Sequence, residues 1–139
     1  MEKILVSACL LGNNCKYDGK NNRNEKVLEY IKNKEVIPIC PEILGGLQTP
    51  RTPAERIKEK VITKDGRDVT ENFNKGANET LYLVKLFGIK KALLKAKSPS
   101  CGYGIIYDGT FTHTKINGYG VTAELLKNNG VEIITEEDI

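Results

Sequence analysis

Four cysteines, at positions 9, 15, 40 and 101, are the residues of this chain best suited to chemistry. No two form a CxxC pair, so the usual zinc-knuckle spacing is absent and any shared centre must be assembled by the fold. Four thiolates on one [4Fe–4S] cluster give a closed site suited to electron transfer or structure, whereas three leave one iron open as a Lewis acid or ligand site. The plain alternative is four small buried hydrophobes, because free cysteine is among the most buried residue types. Local context speaks against simple core filling. Cys40 precedes Pro41, Cys101 precedes Gly102, and Cys9 opens the run Cys9-Leu10-Leu11-Gly12. Cys15 lies in a polar loop before Lys16-Tyr17-Asp18-Gly19. It stands as a fourth ligand, as a thiol behind the ligands, or as neither.

Other candidates cluster near these thiols. Glu42 is two residues past Cys40, and an apolar or electron-rich neighbourhood would raise its pKa into the range for proton transfer. Ser98 and Ser100 flank Pro99 just before Cys101; their hydroxyls can donate to sulfide, donate to substrate, or cap the loop. Arg51 and Arg56 are read as one partner for Glu55 and one group facing an anionic or carbonyl-bearing substrate. Asp18 before Gly19 reads as a turn residue. His113 is the only histidine and is expected on a surface strand, which leaves no basis for a histidine triad. Leu44-Gly45-Gly46-Leu47 is the nearest approach to a phosphate-binding loop and is a weak one.

The elements that must position these residues follow from the hydrophobic pattern. Lys3–Ala8, Val36–Cys40, Ala92–Leu94 and Val131–Thr135 read as strands, and Lys60–Thr63 as a short one. Pro38 suits an edge strand or a bulge. A helix is expected from an Asn24 cap to about Asn33, a second from a Thr70 cap to Phe87 with Gly88 ending it, and a third over 121–129. Residues 41–58 carry three prolines and read as a long functional loop. Asp108-Gly109 signals a type I′ turn between Ile105–Tyr107 and Thr110–Thr112. This alternation predicts a single α/β domain over residues 1–139: three layers, with a mostly parallel Rossmann-like sheet, helices on both faces and a small hairpin. Parallel strands would put Cys9, Cys40 and Cys101 at one carboxyl edge, on strands ~4.8 Å apart.

Composition bounds the rest. Of 139 residues, 40% are hydrophobic and 28% charged, as in ordinary globular domains. The net charge of +3 is small, its lysines are scattered, and no basic block or aromatic-basic interleaving supports nucleic-acid binding. No secretory signal and no run near the ~20 apolar residues of a membrane helix is visible, so a cytoplasmic, thiol-reducing setting is expected.

Taken together, several motifs resemble one family. They are Ser7-Ala8-Cys9-Leu10-Leu11-Gly12, Cys15-Lys16-Tyr17-Asp18-Gly19, Cys40-Pro41-Glu42, Gly46-Leu47 through Pro50-Arg51 to Pro53 and Glu55, Asp68-Val69-Thr70, Ser98 to Gly102, Tyr107 to Phe111, and Gly118 to Thr122. In this order they resemble the thiouracil desulfidases, a small bacterial family formerly filed as a domain of unknown function. The resemblance implies a [4Fe–4S] cluster on three cysteines, carried here onto Cys9, Cys40 and Cys101. It implies non-redox hydrolytic removal of sulfur from a thiolated pyrimidine, with the sulfur taken by the open iron. Glu42 and Ser100 are the matching positions for proton transfer and substrate orientation. Ser98 and Arg51 are the further candidates for substrate contact. The rival expectation is a non-catalytic sensor or structural protein binding a cluster or zinc.

Overall fold

The computed structural model describes all 139 residues. Four parallel strands form the main sheet in the order β2-β1-β5-β8: β1 Lys3–Ser7, β2 Glu35–Ile39, β5 Lys91–Leu94 and β8 Glu132–Thr135. Pro38 lies on β2, an edge strand whose one partner is β1, so the missing N–H costs no central ladder bond. The helices are α1 Glu25–Tyr30, α2 Pro41–Leu44, α3 Thr70–Phe87 and α4 Val121–Asn128. Asn24 caps α1 by accepting from the Lys26 and Val27 amides at 2.9 and 3.2 Å.

Alternation along the central strands separates the two faces. Ile4 and Val6 of β1 and Leu93 of β5 pack with Leu10 and with Val27 of α1. Leu5, Ala92, Leu94 and Ile133 turn the other way, onto Val84 of α3 and Ala123 and Leu126 of α4. This is the three-layer architecture that the alternation of elements predicts. Leu93, fully buried, gains about 1.5–3 kcal/mol from leaving water.

Two antiparallel hairpins stand apart from the sheet: β3 Ala54–Ile57 with β4 Lys60–Thr63, and β6 Tyr103–Tyr107 with β7 Lys115–Tyr119. Here the sequence reading needs three corrections. The 41–58 stretch contains the short helix α2 and the strand β3, because β4 supplies a partner for Ala54–Ile57. The second hairpin is not closed by a two-residue turn at Asp108-Gly109; its connection runs from 108 to 114. Thr70 is the first residue of α3, not its cap, and its hydroxyl accepts from the Val61 amide at 2.9 Å, tying the helix to β4.

One helix contact brings two backbones together at glycines. A Cβ on Gly76 of α3 would overlap the Pro41 carbonyl, and one on Gly45 would overlap the Asn72 carbonyl. The Asn72 side-chain amide donates to the Gly45 carbonyl at 2.9 Å, so α2 lies main chain to main chain on α3.

Candidate active site

The strand order reverses at β1: α1 leads from β1 to β2 on one side, and β5 and β8 follow on the other. Open α/β sheets bind ligands in the crevice beyond the carboxyl ends of the strands at such a point. A cavity of about 570 Å³ lies there, lined by all four cysteines together with Glu42, Arg51 and Ser98. Register explains the convergence. Ser7 of β1 faces Ile39 of β2, so Cys9 and Cys40 leave the sheet within a residue of the same level. Cys101 comes from the turn after β5, the neighbour of β1 on its other side. None of the four is in a disulfide.

The turn carrying Cys101 is tied by its own main chain. The Ser98 hydroxyl accepts from the Ser100 and Cys101 amides at 3.1 and 3.0 Å, and the Gly102 amide donates to the Ser98 carbonyl at 2.8 Å. The opening amides of α4 complete it: Val121 donates to the Pro99 carbonyl at 2.9 Å, and Thr122 and Ala123 to that of Ser100 at 2.9 and 3.1 Å. These helix N–H groups have no partner within their own helix, so the turn satisfies them. The fit is close enough that a Cβ on Gly120 would overlap the Ser100 carbonyl.

Ser98 and Ser100 therefore part company. Ser98 lines the cavity. Ser100 is fully buried, and its hydroxyl meets that of Thr122 at 2.8 Å. It faces α4 and is not among the residues lining the cavity.

The arginines also divide. Arg51 stands 3.6 Å from the Glu42 carboxylate and donates to the Cys15 carbonyl at 2.9 Å and the Thr49 hydroxyl at 3.1 Å. Arg56 does not pair with Glu55. It donates to the Tyr119 carbonyl at 2.7 Å and to Glu124 at 2.9 Å, holding the β6–β7 hairpin to α4.

Burial dominates the electrostatics. It raises the pKa of Glu42, and the Arg51 charge only partly offsets it. It pushes the Cys101 thiol well up, helped by the Glu42 charge and opposed by a hydrogen bond from Ser7. Cys9 is raised for the same first reason, with the Asn22 side chain pulling the other way. Cys40 differs: a hydrogen bond from Cys15 lowers it against its burial, while Cys15 is raised by that same bond.

Sequence reasoning missed several lining residues: Asn22, Lys95, Tyr107 and Phe111. His113, expected on a surface strand, is exposed but sits on the 108–114 connection and also lines the cavity. The motif Tyr107-Asp108-Gly109-Thr110-Phe111 carried a signal for this wall, but the turn reading absorbed it.

Fold and site define an α/β enzyme domain built around a thiol-lined pocket at the sheet's switch point. A family model described as 2-thiouracil desulfurase matches residues 4–138, and the chain belongs to that family. YbbK, an uncharacterized protein of Bacillus subtilis (strain 168), is 44% identical over 146 residues, covering 98% of this chain and 97% of its own. The solved structure of a [4Fe–4S]-dependent thiouracil desulfidase, TudS, aligns over 100% of this chain and 93% of its own with a TM-score of 0.91 and 43% identity.

Proposed function

We propose that this protein hydrolyses the carbon–sulfur bond of a thiouracil-like pyrimidine, using a [4Fe–4S] cluster held by Cys9, Cys40 and Cys101. The observation that carries the reading is the meeting of three thiols, from three neighbouring parallel strands, in one cavity with a buried carboxyl. The donor set suits the group: three soft sulfur ligands, none in a disulfide. When bound, the cluster supplies an iron without a thiolate of its own, a Lewis acid for sulfur.

The chain's own residues do the rest. Thiocarbonyl and water become carbonyl and hydrogen sulfide, so carbon keeps its oxidation level and no electron acceptor is needed. Glu42 receives a proton from the water, and its raised pKa brings it nearer neutral pH for that task. Arg51 limits that rise and fixes the carboxylate beside the Cys15 loop. Ser98 tethers the Cys101 turn, and its position on the cavity wall supports a contact with the substrate. The Cys40 thiol donates to the Cys15 carbonyl at 3.9 Å, so the Cys15 loop supports Cys40 from behind.

The zinc-binding sensor gains no support from the geometry. No three His, Cys, Asp or Glu side chains converge tightly enough to hold a single ion, while a four-iron cluster draws its thiolates from farther apart. Protein purified without oxygen is expected to carry about four irons with matching sulfide and to release hydrosulfide from 2-thiouracil. Metal-free protein would overturn the cluster assignment. Loaded protein inert toward both 2- and 4-thiouracil would overturn the substrate.

No helix is long and apolar enough to cross a membrane. We propose a small thiolated base as the partner and the cytoplasm as the setting in which such thiols stay reduced.

A further inference from the structure

Three aromatic residues of the β6–β7 hairpin, Tyr107, Phe111 and His113, line the cavity that also holds the thiols. Tyr107 closes β6, and the other two lie on the connection 108–114. That connection is constrained. Phe111 and His113 have φ of 58° and 60°, in the left-handed region that side chains other than glycine's rarely adopt. Such strain persists only where surrounding contacts over-determine it.

Those contacts come from two directions. Within the segment, Asp108 accepts from the Thr110 amide at 3.0 Å, and the Thr110, Thr112 and Thr114 hydroxyls form a chain at 2.6 and 2.8 Å. From outside, a single carboxylate oxygen of Glu55 on β3 accepts the amides of Gly109 at 2.9 Å and Phe111 at 3.1 Å. Charge-assisted bonds of this kind are stronger than neutral ones. Glu55 itself lines the cavity. The next residue, Arg56, grips the other end of the same hairpin through the Tyr119 carbonyl, and also binds Glu124 of α4. Successive side chains of one strand point oppositely, so β3 holds tip and base at once.

We infer that Glu55 is a positioning residue, the latch that holds the 108–114 segment at the pocket, and that Phe111 on this segment gives the flat substrate ring a face to lie against. The inference rests on the desulfurating reading for its substrate, but the latch stands on the contacts alone. A conjugated ring stacked on an aromatic side chain gains about 1–3 kcal/mol, which at the lower part of that range is about tenfold in affinity. The pocket thereby selects planar heterocycles over acyclic thioamides, which have no ring face to stack.

The test uses the cluster-loaded chain with 2-thiouracil for turnover, together with equilibrium dialysis of uracil, the ring product that is not consumed, and amide hydrogen exchange. Phe111→Ala is expected to raise KM and the dialysis constant about tenfold with kcat changed less than about twofold, and Phe111→Tyr to restore both. Glu55→Ala is expected to speed exchange at Gly109 and Phe111 and to raise KM similarly. Glu55→Gln keeps an oxygen acceptor and is expected to recover most of both. Unchanged exchange in Glu55→Ala overturns the latch, and an unchanged KM and dialysis constant in Phe111→Ala overturns the ring face. If Glu55→Ala does not fold, normal exchange and KM in Glu55→Gln support the latch, and unlatched behaviour there overturns it. If wild-type protein releases no hydrosulfide, the desulfurating reading fails while exchange and dialysis still judge this one.

Discussion

Cys101 and Cys15 line the same cavity and are almost equally buried, at 3% and 7% exposed, yet they are held in opposite ways. Cys101 sits on a turn whose amides and carbonyls are paired with Ser98 and with the first turn of α4. Cys15 sits on a polar loop tied by local main-chain bonds, its amide donating to the Asn13 carbonyl at 2.9 Å, and clamped by a distant side chain, since its carbonyl receives the Arg51 guanidinium. The first arrangement fixes a sulfur through backbone geometry that forms with the fold. The second fixes a carbonyl and leaves the sulfur to follow. Equal burial therefore does not mean equal duty: the turn is suited to present a ligand, and the loop to support one.

Substitution of the thiols tests this contrast most strongly. Cys101→Ala is expected to abolish both bound iron and hydrosulfide release, while Cys15→Ala keeps the iron and much of the activity, as read by iron assay and turnover on 2-thiouracil. The reverse outcome would invert the assignment of the two cysteines. Gly120→Ala comes next. Its methyl would push the Ser100 carbonyl off α4, and overpacking of this kind costs about 1–3 kcal/mol, measurable as a lower urea midpoint accompanied by weaker iron retention. Thr122→Val is smaller. It leaves the buried Ser100 hydroxyl without its partner, for a loss of about 1 kcal/mol, with turnover expected to survive because Ser100 does not face the cavity.

The subtlest test is on the Cys15 side. Glu42 acts when deprotonated, and burial raises its pKa, so activity is expected to fall on acidification at a pH above the usual glutamate range. Arg51 holds that value down. Arg51→Ala is therefore expected to move the acid limb of the pH–rate profile to higher pH, while mobilising the Cys15 loop. Stability should run with the opposite sense. The folded chain holds the Glu42 proton more tightly than the unfolded chain, so its contribution is full below the ordinary glutamate pKa. That contribution is lost as pH rises through the raised value.

The core of the fold was legible because apolar runs end abruptly. Ile4–Val6, the stretch before Cys40, and Ala92–Leu94 each stop at or near a residue that breaks a strand, which marks both the sheet and its carboxyl edge. The Asn24 cap was equally local. What escaped depends on partners far along the chain. β3 is unremarkable by itself and exists as a strand because β4 pairs with it. Asp108-Gly109 looks like a tight turn until Glu55, more than fifty residues earlier, is seen to hold a wider loop open. Thr70 has the chemistry of a cap but spends its hydroxyl on Val61. Ser98 and Ser100 are two residues apart in a turn whose direction no local pattern specifies, so only the fold shows which one lines the pocket. Arg51 and Arg56 are alike in sequence context, and their partners, Glu42 and Glu124, are chosen by topology.

The contact of α2 with α3 bears on how firmly one corner of the pocket is held. Cys40 and Glu42 stand at the start of α2, and α2 rests on α3 at Gly45 and Gly76, backbone against backbone, with the Asn72 amide bonded to the Gly45 carbonyl. Side chains can change rotamer and let a corner sag; a peptide plane lying on another peptide plane has no such freedom. The long helix thus works as a rigid anvil beneath that corner of the site. The first turn of α2, which carries Glu42 just past Cys40, is thereby held in a fixed relation to the long helix.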